Sequence, residues 1–335
     1  MAHVAIVFTG GTISMGFDPD AGGNVPALDG AAILARTPGL DAIAEIVPID
    51  RGLTPASHFT FDDVLAIGRV VQRALDDASI DGVVVVQGTD TIEETSFAWD
   101  LVLRSPKPVV VTGAMRAPHE DGFDGPANLR DAVAAAASRE LRDAGVVVTL
   151  AGTLEPADDV TKLHTSAFTA FGSPNRGTLG HIVDGRVLLE RPRGPRRTMA
   201  TERAERVHLL TAGIGSDASL LDAAVGVGAD GIVVAATGAG NTSPGWLAAA
   251  ERAMGVGVVV ALASRCPAGA VSTAYATGGG ATWVRAGAIR VGTLCAIKAR
   301  VALALGLGAG LSHDDLAALL ADPEPLGSSS PQPLG

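Results

Sequence analysis

The chain is expected to be an α/β protein of two domains, with a larger N-terminal domain on a doubly wound parallel sheet and a smaller C-terminal α/β domain. Three observations carry this expectation. Short, uninterrupted runs of β-branched residues, such as the four valines at 83–86, have the length and composition of strands buried on both faces of a parallel sheet. These runs alternate with segments of helical apolar spacing, the pattern of βαβ units. Composition agrees: 47% of residues are apolar and 4% aromatic, with 42 glycines, so the core is aliphatic and tightly packed. At 335 residues the chain is too long for one small core.

Residues 4–8 are expected as a buried first strand, followed by Thr9-Gly10-Gly11-Thr12-Ile13, where paired glycines let the backbone turn and approach a ligand. Residues 17–24, rich in Asp and Gly and holding Pro19, lack periodicity and are expected as a mobile, lid-like loop. Short helices near 30–36 and Leu40 lead to a strand at 46–49. Val64, Ile67, Val70, Val71 and Leu75 give residues 61–78 helical spacing, with Asp62 and Asp63 near the start. The valine strand then runs into Gln87-Gly88-Thr89-Asp90-Thr91-Ile92-Glu93-Glu94-Thr95. Glu93 and Glu94 suit the first turn of a helix reaching about Leu103, because the helix dipole favours negative charge there. A strand at 108–112 ends in Gly113-Ala114-Met115-Arg116. Asp124-Gly125-Pro126 opens an Ala-rich helix to Glu140, and a strand follows at 145–150. Residues 152–185 are irregular, with short strands at 180–183 and 186–189.

Domain boundaries are expected at 1–190 for the N-terminal catalytic domain and 207–321 for the C-terminal domain. Residues 191–206, with Arg191, Arg193, Arg196 and Arg197 and two prolines, read as a solvated linker. Strands at 207–211, 231–236 and 258–262 alternate with helices at 218–227, 244–254 and 297–305, with a last helix at 314–320. The Pro/Ser/Gly-rich tail at 322–335 is expected to be disordered.

A net charge of −11 opposes nucleic-acid binding and docking on anionic membranes, both of which need a basic face. Cys266 and Cys295 cannot make a disulfide framework, and neither they nor the seven histidines fall in a metal-ligand spacing. The N-terminal apolar run is too short and uncharged for a signal peptide, so a cytoplasmic location is expected. No stretch of about eighteen apolar residues suits a membrane span.

The chemistry concentrates at strand ends. The polar segment from Gln87 sits at the carboxyl end of a strand, where open α/β sheets bind ligands, and offers hydroxyls, a carboxylate and a helix start. Thr9-Gly10-Gly11-Thr12 lacks the spacing of a dinucleotide fingerprint and has no Walker lysine, which leaves a structural turn or a ligand-facing loop. Thr12 and Thr89 thus both stand beside glycines after strands. Lysine is scarce (Lys107, Lys162, Lys298), and Lys162 stands in Asp159-Val160-Thr161-Lys162. A lone lysine is usually a surface charge. Beside a threonine it serves as a proton acceptor when burial or a cationic neighbour lowers its pKa from about 10.4. His58 and His119 read as polar lining or surface, and Arg116 as a residue that fixes its loop.

These segments, with Asn128-Leu129, Asp230-Gly231-Ile232-Val233, Gly240-Asn241, Ser264-Arg265 with Pro267 and Gly269, and Lys298-Ala299-Arg300, resemble the bacterial-type L-asparaginase family, which includes the glutaminase-asparaginases. Each motif alone is weak, but the ordered set over nearly the whole chain is specific. The resemblance implies a flavodoxin-like N-terminal domain, hydrolysis of L-asparagine with release of ammonia, and no metal or organic cofactor. It also implies a homo-oligomer, dimer or tetramer, with active sites shared between subunits. Thr12 is then the nucleophile that forms an acyl-enzyme, and Thr89, Asp90 and Lys162 relay protons and activate water. Gly11, Ser57, Gly88, Ala114 and Asn241 become substrate-binding positions: Ser57 holds the α-carboxylate and Asp90 also pairs with the α-ammonium. Asn241 enters from a neighbouring subunit.

Two departures bear on specificity. The family's loop tyrosine beside the first threonine is absent, since the loop reads Gly22-Gly23-Asn24-Val25-Pro26 and Tyr275 is the sole tyrosine. The neighbouring-subunit glutamate is also missing from Ser272-Thr273-Ala274-Tyr275-Ala276-Thr277. Tyr275, reaching in from another subunit, is the expected replacement for the tyrosine, against a plain packed aromatic. Alternatives to an asparaginase are a glutaminase-asparaginase or broader amidase, the amidase subunit of a tRNA-dependent amidotransferase, and a non-catalytic amino-acid-binding protein.

Overall fold

A computed structural model describes residues 1–322, and of the tail expected at 322–335 all but Asp322 lies outside the described residues. The chain divides into two compact units, one from Met1 to Pro192 and a second beginning at Arg193.

The first unit follows the order β1 (Ala2–Phe8), β2 (Met15–Asp18), β3 (Gly23–Pro26), α1 (Gly30–Ala35), β4 (Ala44–Asp50), α2 (Phe61–Asp76), β5 (Gly82–Val86) and α3 (Ile92–Val102). It continues with β6 (Val109–Thr112), α4 (Gly125–Ala137), β7 (Val146–Leu150), β8 (Thr153–Pro156), β9 (Thr161–Lys162), β10 (Phe171–Gly172), β11 (Gly180–Val183) and β12 (Arg186–Leu189). Among the described residues the main sheet has eight strands in the order β12-β11-β8-β7-β6-β5-β1-β4. The five strands β4-β1-β5-β6-β7 are mutually parallel, and taken by order of appearance they run 2-1-3-4-5, the flavodoxin-like arrangement. The valine runs of β5, β6 and β7 are buried throughout, as strands covered on both faces must be.

The sheet is mixed rather than wholly parallel, because β8, β11 and β12 add antiparallel pairs beyond β7. The cause is local. Ala151-Gly152 between β7 and β8, and Asp184-Gly185 between β11 and β12, place both central residues at positive φ. That is the two-residue hairpin geometry, which folds a strand straight back on its neighbour. The expected mobile loop at 17–24 is likewise corrected: β2 and β3 pair antiparallel, from Met15 opposite Pro26 to Asp18 opposite Gly23. Asp18 closes the turn by accepting the backbone N–H groups of Asp20 (2.8 Å) and Ala21 (3.2 Å).

The switch point of this sheet lies between β1 and β5, where connections leave in opposite directions and open a crevice at the strands' carboxyl ends. Packing beneath it is rigid. Val4, Ile6, Phe8, Val84, Val86 and Val110 share a buried cluster with Leu129 and Val133 of α4. On α3, the buried Trp99 donates from Nε1 to the Val64 carbonyl of α2 at 2.8 Å.

The second unit comprises β13 (Val207–Thr211), α5 (Ser219–Gly226), β14 (Gly231–Ala236), α6 (Pro244–Gly255), β15 (Val259–Ser264), α7 (Gly280–Arg285), β16 (Ile289–Arg290), α8 (Ala296–Gly308) and α9 (His313–Leu320). Its sheet, β13-β14-β15-β16, is parallel throughout the described residues. Ile232, Val234 and Leu262 pack with Leu221, Trp246, Ala249 and Trp283. Helix α7 and strand β16 carry no clear sequence signal, since α7 opens in a glycine run and β16 is two residues long. Within residues 193–206, Arg197 donates to the carbonyls of Leu319 (3.0 Å), Ala321 (2.6 Å) and Asp322 (3.2 Å), satisfying acceptors left at the end of α9. No helix of the described residues is long and apolar enough to cross a membrane.

Candidate active site

The exits of β1, β5 and β6 meet at the crevice, and glycine is what lets them meet. Thr9 couples the first two by donating both its N–H and its hydroxyl to the Val86 carbonyl, each at 3.0 Å. Gly10 and Gly11 then take φ of +108° and +97°. A Cβ on Gly11 would stand 2.2 Å from the Gly88 nitrogen, so the two loops touch backbone to backbone. Gly11→Ala is therefore expected to cost about 1–3 kcal/mol of stability and a large part of turnover, measured by urea denaturation beside a turnover assay. Thr12, half-buried, opens a 3-10 turn, Thr12–Ser14. The turn is closed by Ser14, whose N–H (2.9 Å) and hydroxyl (2.8 Å) both reach the Gly11 carbonyl. The Thr12 hydroxyl makes no hydrogen bond among the described residues.

The β5 loop is braced from below. Gln87 is fully buried; its Oε1 accepts the Thr95 hydroxyl at 2.9 Å, and its Nε2 donates to the Gly88 carbonyl at 3.2 Å. Thr89 is buried, whereas the Asp90 side chain is 69% exposed. Thr91 donates to the Ala56 carbonyl at 3.2 Å, tying in the short 3-10 turn Ala56–His58 that carries the exposed Ser57. From β9, Lys162 Nζ donates to Thr89 Oγ1 at 2.9 Å and to Asp90 Oδ1 at 3.0 Å. Its side chain is 15% exposed, so this contact lies at the edge of solvent rather than in it.

The β6 loop completes the cluster. A Cβ on Gly113 would meet the Gln87 carbonyl oxygen at 2.5 Å and Thr89 Cγ2 at 3.2 Å, and Ala114 is fully buried. Asp124 stands at the N-cap position of α4, ahead of Pro126, and its carboxylate accepts not from the helix but from the backbone N–H groups of Met115 (3.0 Å) and Arg116 (3.0 Å). Asn128 donates to the Gly113 carbonyl (3.0 Å) and Asp124 Oδ2 (2.9 Å), and accepts from Ala151 N–H (3.1 Å). Arg116 fixes its own loop through the Asp121 carbonyl and lies 4.3 Å over the Phe168 ring. His119 is exposed and packs against Phe17 of β2, with ring centroids 5.8 Å apart.

Thr89, Asp90 and Lys162 are therefore brought into direct contact. Gly11 and Gly88 lie backbone to backbone beside them, the Ser57 turn is bonded through Ala56 to Thr91, and Gly113 next to Ala114 packs on Gln87 and Thr89. Asn241 and Tyr275 belong to the second unit, where they are neighbours: a Cβ on Gly279 would lie 2.5 Å from Tyr275 Cβ and 2.8 Å from Asn241 Oδ1. Asn241 is held by a bridge to Thr237, and Tyr275 is 56% exposed. The bracing roles of Gln87, Thr95 and Asn128 were not assigned from sequence, and that of Asp124 goes beyond the helix start read for it; no pattern in the sequence marks these residues as a set.

Residues 3–194 match the family model for the asparaginase N-terminal domain, and residues 206–320 match that for the glutaminase/asparaginase C-terminal domain. The chain belongs to the asparaginase family. A probable L-asparaginase of Deinococcus radiodurans is 36% identical over 329 residues, spanning 94% of this chain and 96% of that one. L-asparaginase 2 of Escherichia coli is 34% identical over 317 residues, spanning 92% and 89%. The crystal structure of a probable cytoplasmic L-asparaginase from Campylobacter jejuni agrees with a TM-score of 0.86 at 28% identity, covering 96% of this chain and 99% of that one. Family membership thus extends through both units, and the crevice at the switch point is where open α/β sheets in general bind ligands.

Proposed function

We propose that the protein hydrolyses L-asparagine to L-aspartate and ammonia through a threonine acyl-enzyme. The observation that carries this is the Lys162 contact with Thr89 and Asp90, set against the glycine loop that presents Thr12. The Thr12 oxygen attacks the side-chain amide carbon, forming a C–O bond while its proton passes to a base of the site. Backbone N–H groups of the glycine loops stabilise the oxyanion. Collapse breaks the C–N bond, and the nitrogen takes up a proton and leaves as ammonia. Water then attacks the ester, giving its proton through Thr89 to Lys162; collapse breaks the C–O bond to Thr12, and the proton returns from Lys162 to the Thr12 oxygen, which leaves as a hydroxyl. Asp90 balances the ammonium formed on Lys162 and pairs with the substrate's α-ammonium, while Ser57 takes the α-carboxylate. Gly11, Gly88 and Ala114 line the substrate with backbone.

One observation favours a second assignment of the first step. Thr89, not Thr12, has a lysine within hydrogen-bond distance, and that contact is a direct path for its proton. Both assignments use the same residues and differ in which oxygen becomes acylated.

We place the working protein in the cytoplasm as a homo-oligomer, dimer or tetramer, in which Asn241 and Tyr275 serve a neighbouring subunit's site. Tyr275 supports this by its exposure beside Asn241. Tyr275→Phe, which keeps the ring and removes the hydroxyl, is expected to lower kcat for asparagine by about tenfold or more; unchanged kcat discards the assignment. The overall function is tested by ammonia release from L-asparagine, L-glutamine and D-asparagine. Preferential release from L-asparagine is expected. Preference for glutamine makes the protein a glutaminase-asparaginase, and no release from any of the three overturns the proposal in favour of a binding role.

A further inference from the structure

Lys162 stands on a short ribbon, seated in the core by Val160, Ala170 and Phe171. β9 and β10 are each two residues long, and among the described residues they pair with each other outside the main sheet. A strand pair this short has no stability of its own. Something else must fix the Lys162 backbone to the precision that a 2.9 Å contact with Thr89 requires.

Two buried carboxylates flank the ribbon, and neither has a part in the chemistry above. Glu155 lies on β8, an interior strand of the main sheet, and is 4% exposed. It accepts the hydroxyl of Ser173 at 2.6 Å, and Ser173 is the residue directly after β10. Asp159, also 4% exposed, precedes β9 by two positions. It accepts the backbone N–H groups of Asn175 (3.2 Å) and Arg176 (2.7 Å) and the Asn175 side chain at 2.8 Å. The Arg176 guanidinium returns to Asp158 at 2.9 Å. Asp159 thus closes the ribbon on itself, while Glu155 ties the far strand of the closed ribbon to the sheet by a side chain, beside the backbone bonds of Asp159 (3.0 Å) and Val160 (2.9 Å) to the Pro156 carbonyl of β8. Burying a carboxyl is unfavourable without such a use. Burial raises the Glu155 pKa, the neighbouring Asp159 adding to the rise and the hydroxyls of Ser173 and Thr153 and the charge of His181 opposing it.

We propose that Glu155 is a positioning residue for Lys162, acting through Ser173 to hold the β9–β10 ribbon at the register that brings the lysine amine onto Thr89. This rests on Lys162 being part of the proton relay. It assigns Glu155 no contact with substrate.

The test uses Ser173→Ala, which removes the bond with little change of volume, and Glu155→Ala, which removes it from the other side. Each is measured alone and combined with Lys162→Met. If Glu155 acts through Lys162, each single variant lowers kcat for L-asparagine about tenfold or more with KM changed less than about twofold. Adding either change to Lys162→Met then costs nothing further, because the shared route is already cut. Ser173→Thr, which keeps the hydroxyl, retains most of the rate. Unchanged kcat in Ser173→Ala, or losses that multiply with that of Lys162→Met, overturns the proposal. Should Glu155→Ala fail to fold, Ser173→Ala alone decides by the same criteria. A Lys162→Met enzyme with full turnover refutes the relay itself. An inactive Lys162→Met beside a normal Ser173→Ala refutes only the positioning role.

Discussion

Lys162→Met is expected to lower kcat for L-asparagine by about 10²–10⁴-fold, the usual worth of a positioned acid–base group. Methionine keeps most of the stem that crosses from β9 to Thr89, and the lost contacts are the two hydrogen bonds from Nζ at 2.9 and 3.0 Å. Stability should change little. The ion pair to Asp90 is screened because that carboxylate is 69% exposed, and surface pairs of this kind contribute about 0–1 kcal/mol. Steady-state ammonia release and thermal denaturation on the same preparations separate the two effects. A cooperative melt with turnover within about threefold of wild type would remove Lys162 from the proton relay.

Thr12→Ala is expected to abolish the acyl-enzyme and lower kcat by about 10⁴-fold or more, with substrate binding largely kept. The Thr12 hydroxyl makes no hydrogen bond among the described residues, so its removal leaves no buried group unpaired and the fold should tolerate the change. Thr89→Ala separates the two assignments of the first step. Acid quenching during turnover of asparagine, followed by peptide mass spectrometry, reports which threonine carries the acyl group. An adduct on Thr12 that accumulates when Thr89 is replaced supports Thr12 as nucleophile and Thr89 as the group that activates water. An adduct on Thr89 in Thr12→Ala transfers the nucleophile's role to Thr89, the hydroxyl that Lys162 already contacts.

Strand identity was legible because burial on both faces leaves a physical mark in the chain. The valines of β5, β6 and β7 are apolar at every position since neither face meets water. Helix α2 was legible from its 3.6-residue spacing and from Asp62 and Asp63 near its start, whereas the reciprocal cap between Thr60 and Asp63 came from the structure. The sense of strand pairing was less so. Ala151-Gly152 is not a strong hairpin signal by composition, yet its positive φ values turn β8 back antiparallel and give the sheet its mixed side. The β2–β3 hairpin escaped because its strands are four residues each and hold Gly and Pro, so no periodicity marks them. What organises that segment is the Asp18 side chain satisfying two backbone N–H groups, a local hydrogen-bonding preference rather than a hydrophobic one.

From the amino-acid order alone came the α/β class, the strand-end loops with their threonines and glycines, and the candidate residues Thr12, Thr89, Asp90 and Lys162. The class and the loops follow from local causes, backbone freedom at glycine, β-branching and side-chain chemistry, whereas the grouping of those four residues came from the resemblance to the family. Tertiary structure decided which of them touch. Lys162 meets Thr89 across 73 positions of sequence because β9 folds back toward the exit of β5, and Gly11 meets Gly88 because β1 and β5 are parallel neighbours. It also decided who holds them in place: Gln87 with Thr95, Asp124 with Asn128, and Glu155 with Ser173. The physical reason is that a buried polar group must find a partner wherever the fold brings one. That partner is set by topology and register, which no single stretch of chain contains.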